Sequence, residues 1–353
     1  MFDISKTDTN FKVDTNIDKE DIKFYNADEK PFKIYGVFRE GDRYKRFPEN
    51  VAKAVSEGVQ RLHSNTAGGR VRFVTDSPYI AIHTKMDKMA KLPHFPFTGS
   101  IGFDLYDANR YINTFVPPAA ITDGFEKVID FEEVKGEKIQ REITINFPLY
   151  SDVLELYIGL KDGCYIGEPS PYCNEKPVVF YGSSITQGGC ASRPGNSYQA
   201  ILSRNLNMDY INLGFSGNAK AEDEISEYIA NLDMSVFVYD YDHNAPTSEH
   251  LEATHEKMFK RIREKNPDLP VIMMPRPMYY LTEVQKLRRQ IILNTYNNAL
   301  LNGDKNVYYI SNEELTALCK DAGNVDNCHP TDFGFASMAM AIEDVFRKNN
   351  LLG

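Results

Sequence analysis

The hydrophobic pattern of this chain changes period once, near residue 170, and the change specifies two different kinds of sheet. From about residue 30 to 165, apolar and polar side chains alternate in Gly69–Thr75, Tyr79–Thr84, Ile101–Tyr106, Tyr111–Val116, Glu142–Phe147 and Val153–Ile158. Asp76-Ser77-Pro78, Asp107-Ala108-Asn109, Pro117-Pro118 and Lys161-Asp162-Gly163 punctuate these runs with turn residues. An alternating strand buries one face only, so short strands at this spacing predict an antiparallel β-sandwich, jelly-roll-like in outline. One helix is expected within it, around Pro48–Arg61.

After about residue 175, apolar runs of four to eight residues alternate with amphipathic stretches. Strands are expected at Val178–Tyr181, Tyr210–Leu213, Val236–Tyr241, Val271–Met274 and Val307–Ile310. Helices are expected at Ser197–Leu206, Asp223–Leu232, Ser248–Lys265, Thr282–Leu301, Glu313–Cys319 and Phe333–Arg347. Near-continuous apolar strands alternating with helices mean a five-stranded parallel sheet covered on both faces, a three-layer α/β/α domain. The polar, proline-rich Gly167-Glu168-Pro169-Ser170-Pro171 puts the boundary at 170, giving a sandwich over 1–170 and an α/β domain over 171–353.

Composition narrows the partners. The net charge of −10 is not offset by any basic patch or tail, which argues against nucleic acid. No run approaches the roughly 20 apolar residues of a membrane span, and the first twenty residues lack the basic and apolar regions of a secretory leader. The five cysteines form no Cys-x-x-Cys pair. Reduced thiols in the cytoplasm are the expected state.

In an open parallel sheet, ligands sit beyond the carboxyl ends of the strands. Four polar segments fall at that edge. Ser184 follows the first strand, Asn212–Asn218 the second and Asp242-His243-Asn244 the third, while Asp326-Asn327-Cys328-His329 precedes the final helix. Acyl transfer needs an attacking hydroxyl, a base and an acid that orients the base. Ser184, His329 and Asp326 supply those groups. The backbone N–H of Ser184, the unobstructed N–H of Gly217 and the amide of Asn244 are candidate donors to an oxyanion.

The pattern resembles the SGNH (GDSL-type) hydrolase superfamily, whose blocks supply a Ser, a Gly, an Asn and a His three residues after an Asp. Residue by residue, the resemblance implies a catalytic triad of Ser184, Asp326 and His329 with an oxyanion hole of Ser184, Gly217 and Asn244. Gly102-Phe103-Asp104-Leu105-Tyr106 looks like the Gly-x-Asp-Leu-Tyr motif of a β-sandwich module that precedes some of these esterases. Two positions depart from the family: its usual Asp before the nucleophile is Ser183, and its usual Gly-x-Asn-Asp is His-Asn-Ala at 243–245.

The resemblance implies a serine esterase acting on short acyl esters, carbohydrate O-acetyl groups foremost, with an oligosaccharide or small-molecule ester as partner and no cofactor. The alternatives are an acyltransferase using the same triad and a carbohydrate-binding protein without turnover. His243, Arg193 and Arg276 are further candidates for the substrate or its surroundings, although each equally suits a structural role. Asp104 and Tyr106 are expected to pack locally or to serve the domain interface. His250 and His255 are expected to be solvated, and His63, His83 and His94 are scattered. No metal is expected, because a site on Asp326, Cys328 and His329 lacks an evident fourth ligand.

Overall fold

A computed structural model describes residue 13 and residues 15–131 and 139–352. The segment 1–12, most of the stretch judged to lack a leader, lies outside the described residues. Ile22–Asn26, Asp152–Lys161, Tyr79–Asp87 and Gly124–Asp130 form one antiparallel sheet in that order. A second runs Ile166–Gly167, Arg70–Thr75, Arg141–Asn146, Phe103–Asp107, Arg110–Phe115, with Lys33–Tyr35 also paired to Arg70–Thr75. Val71, Phe73, Leu105, Ile143 and Ile145 of the second sheet share one core with Ile80, Ile82, Leu156 and Ile158 of the first. Alternate residues meeting between two sheets are what the period of two required.

All six expected sandwich strands are present. Ile22–Asn26, Lys33–Tyr35, Phe38–Glu40, Arg43–Lys45, Gly124–Asp130 and Ile166–Gly167 are additional. Several of these are short or carry few apolar residues, so their pairing is imposed by neighbouring strands. The single helix expected at Pro48–Arg61 is two, Glu49–Val55 and Glu57–Leu62. Ser56 between them is extended and its hydroxyl accepts the Val59 N–H, so it stops one helix and caps the next. Phe47, Ala52 and Val59 of this region pack against Leu213, Phe215 and Ile225 in the second half.

The second half contains strands β1 (Val178–Gly182), β2 (Tyr210–Gly214), β3 (Val236–Asp240), β4 (Val271–Met273) and β5 (Val307–Tyr309). They form a parallel sheet in the order β2-β1-β3-β4-β5. Val179, Tyr181, Phe237 and Tyr239 face a layer that includes Ile225, Leu251, Phe259 and Ile292. Val178, Phe180, Val236 and Val238 face Leu202, Phe335, Met338 and Ile342 on the opposite side. Both faces are buried, which is why these strands read as unbroken apolar runs. The chain leaves β1 outward to β2 and returns across it to β3. The crevice at this reversal, beyond the ends of β1 and β3, is where such sheets place ligands.

Candidate active site

Gly182 ends β1 in register with Asp240, the last residue of β3. A β-carbon at Gly182 would collide with the Asp240 carboxylate and the Thr186 hydroxyl, so this approach requires glycine. Ser183 is extended and wholly buried, and its hydroxyl accepts the Ile185 N–H at 3.2 Å. It thereby caps the single helical turn Ser184–Gln187. The Thr186 hydroxyl donates to the Asp240 carboxylate. Burial pushes that carboxyl up to about 7; the neighbouring Asp242 charge adds to the rise, while the Thr186 hydroxyl and the Ser183 backbone N–H oppose it.

Ser184 Oγ lies 2.8 Å from His329 Nε2, and His329 Nδ1 lies 2.8 Å from Asp326 Oδ2. Asp326 Oδ1 also accepts the backbone N–H groups of His329 at 2.8 Å and Cys328 at 3.2 Å. One carboxylate therefore closes the turn and orients the ring. Burial raises the Asp326 carboxyl, but the His329 backbone and ring donors outweigh this and hold it below its ordinary value. An ionised Asp326 only accepts, so Nδ1 carries the imidazole proton and Nε2 faces the Ser184 hydroxyl with its lone pair.

Gly217 adopts φ +72° with open space around it. Asn244 Oδ1 accepts the Ala219 N–H at 3.2 Å, which joins the loop after β2 to the loop after β3 and directs the Asn244 NH2 elsewhere. Gln187 Oε1 accepts the Ser216 N–H at 3.1 Å, and its Nε2 donates to Asn65 Oδ1 and the Leu149 carbonyl. The glycine loop is thus braced by the helical turn of Ser184 and, through Gln187, by the sandwich.

The remaining candidates divide. Arg276 forms a two-point ion pair with Asp242, both contacts at 3.0 Å, and Arg288 reaches the same carboxylate at 2.6 Å. Arg276 is therefore committed to a buried carboxylate and is not a free substrate contact. His243 is half-buried, with Nδ1 3.6 Å from Cys328 Sγ. Burial, reinforced by Arg276, lowers its pKa to about 3, so it is neutral at pH 7. Arg193 stacks 4.0 Å from the Tyr111 ring centroid, with Nε 3.4 Å from the Tyr106 hydroxyl and 3.7 Å from Asp104. Asp104 accepts the Gly195 N–H and the Asn146 amide, both at 2.8 Å, so the motif carboxylate spans the two halves. Burial raises Asp104 to about 6 against the pull of these donors.

His255 is not solvated: it is 2% exposed, stacks on Tyr239 and bonds Thr295, because the apolar side of its helix faces the core. Sequence reasoning missed three residues that the sandwich brings to the site. The Tyr150 hydroxyl donates to the Ser184 carbonyl at 3.0 Å. His94 Nε2 stands 3.9 Å from Asp326 Oδ2, and the Phe95 ring lies 5.9 Å from that of His329. The only local signal was the Pro93-His94-Phe95-Pro96 bracket, which holds polar and aromatic groups in a constrained loop.

A doubly covered parallel sheet with hydroxyl, imidazole and carboxylate in series at its reversal defines a serine hydrolase of the three-layer α/β class. The chain belongs to the SGNH (GDSL-type) hydrolases: residues 175–347 match the GDSL-like lipase/acylhydrolase family, and residues 22–166 match the GxDLY N-terminal module of SGNH-hydrolase-type esterases. A protein from Bacteroides ovatus described as a GDSL-like lipase is 28% identical with a TM-score of 0.82, over 93% of this chain and 97% of that one. The salicylyl-acyltransferase SsfX3 of a tetracycline biosynthetic pathway shares the fold at TM-score 0.74 and 16% identity, over 94% of this chain and 98% of that one. A family two carbohydrate esterase from Clostridium thermocellum, solved with cellohexaose, shares it at 0.61 and 14%, over 91% and 99%. Among curated proteins, none matches the chain.

Proposed function

We propose that the protein is a serine esterase that removes short acyl groups, acetyl foremost, from carbohydrate esters through an acyl-enzyme on Ser184. The observation that carries this reading is the unbroken series Ser184 Oγ, His329, Asp326, with both links at 2.8 Å. His329 Nε2 takes the Ser184 proton as Oγ attacks the ester carbonyl, and Asp326 stabilises the imidazolium. The N–H groups of Ser184 and Gly217 and the Asn244 amide receive the oxyanion. His329 then protonates the departing alcohol, and water repeats the sequence on the acyl-enzyme. Neither step asks for a cofactor.

The sugar assignment is supported by the fold shared with the carbohydrate esterase solved with cellohexaose. A short acyl group suits ground beside Ser184 and His329 that is already occupied by the Phe95 and Tyr150 rings, 4.6 Å apart. In this reading the modules are 1–170 and 171–353, with the first completing the site of the second. The five cysteines are unpaired, which fits a reducing compartment, and we place the protein in the cytoplasm. No helix among the described residues is long and apolar enough to cross a membrane.

The resemblance to the salicylyl-acyltransferase favours a second reading, transfer of the acyl group to another alcohol. Product analysis with and without an acceptor alcohol separates the two. For the nucleophile itself, a serine-directed phosphonate labels Ser184, and Ser184→Ala lowers aryl acetate turnover by about 10³-fold or more. Labelling at another residue, or full turnover by the variant, overturns the assignment. A screen of acetylated mono- and oligosaccharides then defines the substrate.

A further inference from the structure

Acyl transfer leaves a histidine and a thiol beside the triad without employment. His94 comes from the sandwich, Cys190 from the loop after the helical turn and His329 from the last loop, and one ligand atom of each lies within 4.8 Å of those of the other two. We propose that His94, Cys190 and His329 form a three-ligand site for a thiophilic divalent ion, Zn²⁺ being the best match, and that its occupancy reversibly shuts the hydrolase. The shut-off half rests on the reading of His329 as the base.

Two imidazoles and one thiolate suit Zn²⁺ or Co²⁺ and disfavour Mg²⁺ or Ca²⁺. Tetrahedral zinc bonds of 2.0–2.3 Å set ligand atoms roughly 3.3–3.8 Å apart, so the cluster needs at most about 1.5 Å of closure. His94 has that freedom. Among the described residues no hydrogen bond holds its ring, which touches Asp326 at 3.9 Å and the rings of Phe95 and His329.

Cys190 is the buried member of the three. It sits at φ +71°, a conformation that crowds any β-carbon and normally goes to glycine. The proposed ester hydrolysis has no use for its buried thiol. Asp326, Cys328 and His329 form a second cluster of the same size, but Asp326 there already accepts three N–H bonds and Cys328 faces His243. The first cluster therefore has the freer ligands.

On binding, the Cys190 S–H proton passes to solvent as the sulfur–metal bond forms. The lone pair free on His329 is that of Nε2, the one that would take the Ser184 proton, so a metal on it removes the base. Water fills the fourth position.

The test uses the full chain, reduced and freed of metal with a chelator, titrated with Co²⁺ while thiolate-to-cobalt absorption and aryl acetate turnover are followed together. One Co²⁺ per chain with a thiolate band, parallel loss of turnover, displacement by Zn²⁺ and recovery with chelator are expected. Cys190→Ser abolishes the band, His94→Ala weakens binding at least 10-fold, and Cys328→Ser keeps both band and affinity, with circular dichroism checking that each variant folds. Absence of the band, its survival in Cys190→Ser, or equal Zn²⁺ inhibition of Cys190→Ser and the parent overturns the site. A protein that binds Co²⁺ through Cys190 yet cleaves no ester refutes the esterase reading and the shut-off while keeping the ion site; turnover without the band does the reverse.

Discussion

Restoring at position 183 the Asp usual in the family tests why this chain carries Ser there. The site is wholly buried, and the Ser183 backbone N–H favours the ionised form of the Asp240 carboxyl beside it. Asp and Ser are about equal as helix N-caps, so the cap over Ile185 contributes no difference. The deciding effect is charge. Two carboxylates roughly 5 Å apart at an effective dielectric of about 20 repel by about 3 kcal/mol. The protein has a cheaper escape near neutrality, because Asp240 already titrates at about 7 and protonating it relieves the repulsion. Below pH 7 that escape costs little, and above it the cost rises by about 1.4 kcal/mol per pH unit, reaching about 2.7 at pH 9. Ser183→Asp should therefore lose about 2–3 kcal/mol more stability, relative to the parent, at pH 9 than at pH 5.5. Urea unfolding at the two pH values measures this. Placing the change in an Asp240→Asn background should flatten the pH dependence, since the partner can no longer ionise. An equal loss at both pH values, or a pH dependence that persists in the Asp240→Asn background, would refute the reasoning.

Three further outcomes follow from other contacts. Asp104→Ala strands the Gly195 N–H and the Asn146 amide without their acceptor, and two orphaned buried donors cost about 3 kcal/mol or more in chemical unfolding; a change under about 1 kcal/mol sinks the view that this carboxylate clamps the halves together. Arg276→Ala removes one of the two guanidinium groups paired with buried Asp242, leaving that of Arg288, and should cost about 3 kcal/mol at pH 7. Burial opposes ionisation of Asp242, yet Arg276 and Arg288 hold its carboxyl far below the ordinary range. The stabilisation is therefore present above the unfolded carboxylate pKa near 4 and lost as pH falls towards the depressed folded value. The gap between variant and parent should thus narrow in strong acid, and a gap that widens contradicts it. Asn244→Ala should lower kcat on an aryl acetate by about 10²–10³-fold with KM little changed, the pattern of a lost oxyanion donor; a rise in KM alone would assign Asn244 to binding the ground state.

Much of the fold was legible because each half obeys one hydrophobic period. Alternation in Arg141–Asn146 and at the end of Tyr79–Asp87, and continuity in Val178–Gly182 and Val236–Asp240, follow from whether one face or both are buried. Short strands such as Lys33–Tyr35 were silent, because partners and not their own side chains hold them in place. Ser56 shows the same limit in a helix: periodicity runs through it, and only its capping hydroxyl, bonded to Val59, reveals the break.

The sequence alone determined which chemical groups end up at one edge of the sheet. Ser184, Gly217, Asn244, Asp326 and His329 each follow a strand or precede the last helix, and chain direction in a parallel sheet carries them to the same side. Tertiary structure decided what faces them. His94, Phe95 and Tyr150 reach the site from loops of the first half, across separations that local pattern does not record. Arg276 was withdrawn to Asp242 and His255 was buried on Tyr239 because a charge or ring is satisfied by whatever packing sets beside it. The surroundings of Ser183 were likewise set by that packing: the Asp240 carboxyl, one strand away and out of sight in the linear chain, accepts its backbone N–H.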